Sequence, residues 1–265
     1  MQAAFTFAKG DYKMKHIKFG SGKENFVILP GLSIHSIMRA ADAIKAAYDE
    51  FTEKYTVYVF DRADNIASGY TVRDMAMDTA DAMKALGIEK ADIFGASQGG
   101  MIALYLAIDH PELVNKIILA STLAKPNDNF NHVIDEWIEL AEKKDEIGLL
   151  NSFAEKVYSA KTLAAYGEIL VTSNLGISDE EYRRFIILAE ACKSYNCFDE
   201  LSQIKCPAYV IGAEGDNVTT PDGSVQLAEA LKCGLYLYSS EFGHGVYDEA
   251  PDYRRRCLDY LLSDK

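Results

Sequence analysis

A serine lies between two glycines in the pentapeptide Gly95-Ala96-Ser97-Gln98-Gly99. The apolar run 91–94 precedes it, and the helix-like run 100–107 follows it. This pattern is typical of a nucleophile elbow, which consists of a strand, a tight turn with serine at its apex and a helix. Small neighbouring residues let the strained turn expose the serine hydroxyl. The pattern therefore predicts Ser97 as a nucleophile. The amide of Gln98, at a helix N-terminus, is then an expected oxyanion donor.

A serine hydroxyl at neutral pH needs a base within hydrogen-bond reach, and that base needs an orienting carboxylate. His244 is the predicted base, because it lies in a glycine-flanked loop after the predicted strand 235–238. The other four histidines have competing interpretations: His16 within an early strand, His110 at a helix end, His132 in a helical segment, and His35 in a first helical turn or beside the pocket.

Asp216 is the predicted orienting acid, because it comes just after the strand that ends at Gly212. Glu214 is a close competitor, and Asp128 is a remoter alternative that follows the preceding strand. Two further acids are interpreted as structural, as an N-cap and in the first turn of a helix: Asp222 and Asp248.

The loop Pro30-Gly31-Leu32-Ser33 follows an early strand and predicts a second oxyanion donor. Glycine lets the chain turn there with an amide exposed, so the amide of Leu32 is the expected donor beside Gln98. The residues expected to line a pocket are Gly31, Ser33, His35, Trp137 and Val246.

Strands and helices alternate along most of the chain, which favours a parallel sheet covered on both faces. Asp61 is expected to close a buried strand, and Gly87 is expected to end a helix. The predicted strands are 13–19, 26–29, 56–60, 91–94, 116–121, 208–212 and 235–238, and the clearest predicted helices are 37–51, 71–86 and 224–231.

The alternation stops at Lys125, and from 127 to about 200 the patterns are helical. We therefore predict a core formed by 1–124 and 201–265, with 125–200 as a helical insertion. The insertion leaves and re-enters the core at strand ends that open on the catalytic face. It is thus expected to cover the pocket as a lid and to control substrate choice.

The chain resembles the α/β-hydrolase superfamily, because the order Ser97, Asp216, His244 matches its order of nucleophile, acid and base. The stretch 57–122 carries the family's succession of an Asp after a strand, a helix, the elbow and a His-Pro-Glu-Leu-Val step. The resemblance implies an α/β fold with a mostly parallel sheet of the eight-stranded type, helices on both faces and a helical cap at 125–200. Two loops depart from the family pattern: Pro30-Gly31 replaces a frequent His-Gly, and Asp61-Arg62-Ala63-Asp64 replaces Asp-x-Arg-Gly.

These residues predict a serine hydrolase that cleaves a small acyl substrate, first of all a carboxylic ester, through an acyl-enzyme. Thioester, amide and carbon–carbon bond hydrolysis use the same parts, because a fold does not fix a reaction. A ligand-binding sensor with little turnover is the alternative from another class, since some superfamily members act as receptors. Members with an aspartate nucleophile are disfavoured by Ser97.

The net charge of −13 and a pI near 4.8 disfavour nucleic acid and anionic membranes as partners. No run approaches the roughly 20 apolar residues of a membrane span, and no signal peptide is evident. The five cysteines lack the C-x-x-C spacing of a metal site, so we expect reduced thiols in a cytoplasmic protein. The sequence implies no metal, nucleotide or flavin cofactor. It does not indicate the oligomeric state.

Overall fold

The computed structural model describes residues 5–9 and 12–263. The predictions for the N-terminal segment and for the ends of the core fall partly on residues 1–4, 10–11 and 264–265, which lie outside the described residues. The strands are β1 (Phe5–Lys9), β2 (Tyr12–Phe19), β3 (Glu24–Leu29), β4 (Tyr55–Ala63), β5 (Ala91–Ala96), β6 (Val114–Ala120), β7 (Ala208–Ala213) and β8 (Gly234–Tyr238).

These strands form one sheet of eight, within the described residues, in the order β1-β2-β4-β3-β5-β6-β7-β8. β1 and β2, and β2 and β4, pair antiparallel, and all other neighbours pair parallel. The mostly parallel α/β fold is therefore confirmed. β1 was not predicted, because a five-residue strand that depends on pairing with β2 has little signal of its own.

The helices are α1 (Ala41–Ala47), α2 (Val72–Ala85), α3 (Gln98–Asp109), α4 (Asp128–Glu142), α5 (Glu146–Val157), α6 (Ala160–Thr172), α7 (Asp179–Lys193), α8 (Thr220–Leu231), α9 (Val246–Glu249) and α10 (Tyr253–Leu262). Alternate strand residues serve opposite faces of the sheet: Leu29 and Ile93 pack with α2 and α3, whereas Ile28 and Phe94 pack with α10. Helices thus cover both faces, as predicted.

Three local predictions are corrected. The predicted helix 37–51 is broken into α1 and two short 3₁₀ turns, and the break seats Phe51 against Phe26, with ring centroids 5.1 Å apart. Asp61 does not close its strand, because β4 runs on to Ala63. Asp222 is not an N-cap: Thr219 holds that position, and Asp222 lies in the first turn of α8.

Between β6 and β7 the described chain contains helices α4 to α7 and a short 3₁₀ helix at Phe198–Gln203, with no strand. Side chains cap each of the four α-helices: Asn127, Asp145, Ser159 and Ser178 accept from backbone N–H groups in the first turns. The helical insertion thus begins each helix with a locally encoded cap. Its division from the core as a separate domain stays a prediction.

The carboxyl ends of the parallel strands lie along one edge of the sheet, where Ala96 of β5 is level with Ala120 of β6 and Ala213 of β7 with Tyr238 of β8. Ser97 follows β5 directly, and Ser121 follows β6 with a positive φ of 44°. Loops from this edge hold ligands in open α/β sheets. Among the described helices, none has the length and apolar character needed to cross a membrane.

Candidate active site

Ser97 occupies the tight turn between β5 and α3, with φ 51° and ψ −119°. Non-glycine residues seldom adopt a positive φ, and such strain clusters at functional sites. Close contacts require the flanking glycines: a Cβ atom at Gly95 would lie 2.4 Å from the carbonyl oxygen of Gly99, and one at Gly99 would lie 1.9 Å from that of Leu29. The local geometry is that of the elbow expected from the pentapeptide.

Asp216 and His244 form a buried pair after β7 and β8. Nδ1 of His244 lies 3.0 and 2.9 Å from the two carboxylate oxygens of Asp216. The carboxylate also accepts from the Thr219 hydroxyl at 2.7 Å and from the N–H groups of Val218 and Thr219. Burial alone would raise the pKa of Asp216, but the His244 contact and these hydrogen bonds outweigh burial and lower the pKa. An ionised Asp216 makes Nδ1 of His244 a donor.

Ser97 and His244 line one cavity of about 410 Å³. Among the described residues no hydrogen bond joins the two side chains, a bond that in ligand-free enzymes often forms only with substrate. Because Asp216 holds Nδ1, Nε2 is the ring nitrogen left to exchange a proton with Ser97. The structure thus brings the predicted nucleophile, base and acid to one end of the sheet.

The competing candidates lie elsewhere. Glu214 and Asp128 are exposed, and in the described chain Asp216 is the one carboxylate hydrogen-bonded to His244. The other histidines are placed as follows: His16 is buried in β2, His110 follows α3, and His132 is exposed on α4.

Two predicted pocket residues do not line the cavity. His35 does not start a helix but lies in the loop after Ser33, where its Nδ1 is 2.7 Å from Glu181 Oε1 and its Nε2 is 2.7 Å from the carbonyl oxygen of Asn174. Val246 is fully buried in the core behind the sheet. Their proximity to Gly31 and His244 in sequence suggested the pocket, but their side chains turn to other partners. Gly31, Ser33 and Trp137 do line the cavity.

The two predicted oxyanion donors flank Ser97. Leu32 lines the cavity, and Gln98 is the first residue of α3, whose N-terminal N–H groups lack helical partners. A Cβ atom at Gly31 would lie 3.2 Å from Cβ of Ser97, a tight contact, so glycine eases the close approach of this loop to the nucleophile. This arrangement can present backbone N–H groups to a developing oxyanion.

Arg62 is a buried residue that the sequence analysis did not assign to the site. Its Nε donates to Gln98 Oε1 at 3.1 Å, and its Nη2 donates to the carbonyl oxygen of Pro30. Arg184 of α7 pairs with Asp61 at 2.7 Å beside it. The available signal was the charged pair Asp61-Arg62 near the end of β4, but sequence alone does not tell which loop a buried arginine reaches.

The cavity wall is mostly apolar, with residues from α1 on one side and Trp137, Phe153, Val157 and Tyr158 from the α4–α5 region on the other. Two charged residues also line it, Asp248 and Arg254, paired at 3.2 Å. Asp248 was interpreted as structural because it begins a helical turn. Asp248 does lie in the first turn of α9, as predicted, and its half-exposed side chain also lines the cavity.

All five cysteines are free, and burial raises the pKa of each thiol; the values are about 12 for Cys192 and Cys197 and about 11 for Cys206 and Cys233, while that of Cys257 is raised further. A raised thiol pKa suppresses the reactive thiolate, so none is a candidate nucleophile. Among residues 5–9 and 12–263, no group of three or more His, Cys, Asp and Glu side chains is arranged to hold a metal ion.

Comparison with known proteins finds one family profile, described as alpha/beta hydrolase fold, that matches residues 51–165. The chain is 27% identical over 190 residues to a protein of Rhizobium rhizogenes that is named for carbamate hydrolysis, RutD, covering 71% of this chain and 72% of the relative. It is 29% identical over 194 residues to a non-heme bromoperoxidase, BpoC, of Mycobacterium tuberculosis, covering 70% and 73%.

A solved structure of similar fold is MGS-M2, an alpha/beta hydrolase enzyme from a Medee basin deep-sea metagenome library, with a TM-score of 0.88, 22% identity and 98% of both chains covered. At this identity the likeness concerns the fold. The matched family region includes β5, Ser97 and α3. Both the sequence comparison and the fold comparison therefore cover the segment that contains the elbow.

Proposed function

Because the chain is a hydrolase of the α/β-hydrolase superfamily, we propose that it cleaves small acyl substrates, carboxylic esters first, through a Ser97–His244–Asp216 triad. One observation carries the proposal. The buried Asp216–His244 pair, joined at 2.9 Å, shares a cavity with a serine held at a positive φ. No metal or redox group is needed for this chemistry.

In the first half-reaction the Ser97 oxygen forms a bond to the substrate carbonyl carbon while its proton passes to Nε2 of His244. The carbonyl oxygen becomes an oxyanion, which the N–H groups of Leu32 and Gln98 stabilise. Collapse of this intermediate breaks the bond to the leaving alcohol, which takes the proton from His244. The acyl group is then bound to Ser97.

In the second half-reaction a water molecule attacks the acyl carbon and gives its proton to Nε2 of His244. Collapse returns that proton to the Ser97 oxygen and releases the carboxylic acid, so the enzyme is restored. Asp216, ionised throughout, stabilises the imidazolium that forms in each half-reaction. This role is supported by the lowered pKa of Asp216.

We further propose that the insertion 125–200 acts as a cap. The support is that Trp137 of α4 and Phe153 of α5 line the same cavity as Ser97. A wall of this kind favours apolar acyl or alcohol groups and excludes water from the site. A cavity of about 410 Å³ suits substrates of small to moderate size.

A fluorophosphonate probe tests the proposal directly, because it phosphonylates an activated serine. We expect labelling of the wild-type protein and none of Ser97→Ala, together with turnover of p-nitrophenyl esters from acetate to octanoate. Ser97→Ala should lose on the order of 10⁴-fold or more in kcat. Labelling without turnover of any ester, thioester or amide would favour a sensor. Equal labelling of Ser97→Ala would refute the nucleophile.

A further inference from the structure

The cavity that holds Ser97 is lined by residues that belong to opposite sides of the sheet. Trp137 and Phe153 belong to the side of α3, whereas Ile44 and Tyr48 belong to the side of α10. Ser97 lies at the end of β5, in the sheet between these two layers. A bond held at Ser97 therefore has one half of the substrate on each side.

We name the part lined by Ile28, Ala43, Ile44, Tyr48, Asp248 and Arg254 the α1 lobe. Its wall is formed by small and apolar side chains except for the Asp248–Arg254 pair. None of the α1 residues is fully buried: Ile44 packs partly against the core on the α10 side and also lines the cavity, as does Ala43. The α1 lobe is thus an open space built into the fold.

The two charges in the α1 lobe differ in accessibility. Nη2 of Arg254 donates to Oδ1 of Asp248 at 3.2 Å, the Arg254 guanidinium lies 5.3 Å from the centre of the Tyr48 ring, and its Nε is buried. Asp248 is 49% exposed, and no other hydrogen bond to its carboxylate is found in the described chain. Arg254 is 28% exposed, so the Asp248 carboxylate is the more accessible of the two charges in the α1 lobe.

A carboxylate accepts hydrogen bonds and does not donate them. A hydrogen-bond donor from a ligand, above all a cationic one, would satisfy the free oxygen and favour the charged form.

We infer that the α1 lobe is a specificity subsite that takes a substrate half ending in a hydrogen-bond donor, an amine above all, on the Asp248 carboxylate. The inference rests on the proposed function, since it uses Ser97 to fix the other end of the substrate. The apolar wall between Ser97 and Asp248 then contacts a methylene chain. Arg254 acts as the positioning residue, because it holds Oδ1 and leaves the other oxygen to the ligand.

Two pairs of esters test the inference, because the lobe takes only one half of the substrate. In the first pair the acyl group varies, as phenyl 6-aminohexanoate and phenyl heptanoate. In the second the alcohol varies, as 6-aminohexyl acetate and heptyl acetate. The quantity compared is the ratio of kcat/KM for the amine to kcat/KM for the methyl analogue. Each pair is also measured with chains one methylene longer and one methylene shorter.

The wild-type protein should accept the amine at least as well as the methyl analogue in one pair, although an unpaired amine is costly in an apolar cavity. Asp248→Asn should lower that ratio about tenfold or more and leave the ratio of the other pair unchanged, since a charged hydrogen bond is lost. Asp252→Asn, which removes a carboxylate at the N-cap position of α10 and outside the cavity, is the matched control and should leave both ratios unchanged.

An Asp248→Asn ratio within twofold of wild type would overturn the inference, as would equal loss in both pairs, which would indicate general attraction to an acidic protein. Preference of the wild type for a carboxylate-ended analogue over the amine would also overturn it, and this measurement needs no variant. Fluorophosphonate labelling of Ser97 in the same preparations separates failure of the subsite from failure of the proposed function. Labelling without amine selectivity refutes the subsite alone, and absent labelling refutes the proposed function.

Discussion

Nε of Arg62 donates a 3.1 Å hydrogen bond to Oε1 of Gln98, the residue that directly follows Ser97. The same guanidinium donates to the carbonyl oxygen of Pro30, one peptide before Gly31. The two proposed oxyanion donors, Leu32 and Gln98, thus belong to segments that one buried arginine links. Their relative position is set by this side chain as well as by the sheet.

The first prediction concerns Arg62. Arg62→Met should lower kcat by about 10- to 100-fold while changing KM little, because misplaced oxyanion donors weaken stabilisation of the transition state more than substrate binding. Arg62→Lys should recover part of the loss at most, since an ammonium group cannot reproduce the guanidinium fork. Steady-state kinetics with one short ester check this. A fall in kcat that comes with a lower melting temperature and a raised KM would indicate a merely structural role.

The second prediction separates the two candidate acids. Asp216→Asn should lower kcat/KM on the order of 10³-fold or more, because the amide no longer fixes the tautomer of His244 or stabilises its charged form. Glu214→Gln, an exposed neighbour, should remain within twofold of wild type. Measuring both variants at pH 7.5 decides the assignment. A larger loss for Glu214→Gln would move the acid to that residue.

Asp216 also makes stability depend on pH. Its pKa is lowered in the folded state, so its contribution is present above the ordinary aspartate pKa of 3.8 and is lost as the pH falls through the folded value. The Asp216→Asn variant should therefore be less stable than wild type at pH 7, with a difference that shrinks in acid. Urea unfolding at a series of pH values measures it.

The third prediction concerns the contact between the Ser33–His35 loop and α7. Burial would raise the pKa of Glu181, but hydrogen bonds from His35 and Ser178 outweigh burial and lower the pKa to about 2. Glu181→Gln should reduce the free energy of unfolding by about 1–2 kcal/mol at pH 7. Because the lowered pKa stabilises only above the ordinary value of 4.5, the deficit should vanish between pH 4.5 and 2.

Glu180→Gln is the matched control for Glu181. Glu180 is 62% exposed, and the ion pair found for it in the described part of the chain is with Arg183 on α7, so its loss should change stability by less than about 0.5 kcal/mol. Denaturant unfolding of the three proteins compares the two sites. Equal effects of the two substitutions would show that the contact with His35 contributes nothing beyond a surface charge.

The fourth prediction tests the cap. Trp137→Leu should change the ratio of kcat/KM for octanoate to acetate esters by about tenfold, because Trp137 lines the cavity. Phe185→Leu, buried in the same segment but absent from the cavity wall, should leave this ratio within twofold. Phosphonylation of Ser97 by a small probe should stay rapid in both. A slowing of short and long esters alike in Trp137→Leu would contradict a cap role.

Local chemistry explains which features could be predicted from the sequence. The requirement for glycine at 95 and 99 is short-range, so the pentapeptide sufficed to predict the turn at Ser97. Asp216 and His244 were found because each follows a strand, and strand ends meet at one edge. The orientation of a side chain is a tertiary property. For that reason His35 and Val246 were wrongly placed in the pocket, while the contacts of Arg62 and the position of Asp248 at the cavity wall were not predicted.

Ser97, Ser121 and Thr220 all carry a positive φ, and they follow β5, β6 and β7 respectively. A left-handed backbone at a non-glycine residue costs about 1–3 kcal/mol. The protein is therefore less stable than its fold permits, and at Ser97, which lines the cavity, part of this cost lies where substrate is expected to bind. Ser97→Gly should unfold at a higher temperature than the wild type and be inactive. A screen for thermostability alone would select for loss of activity at this edge.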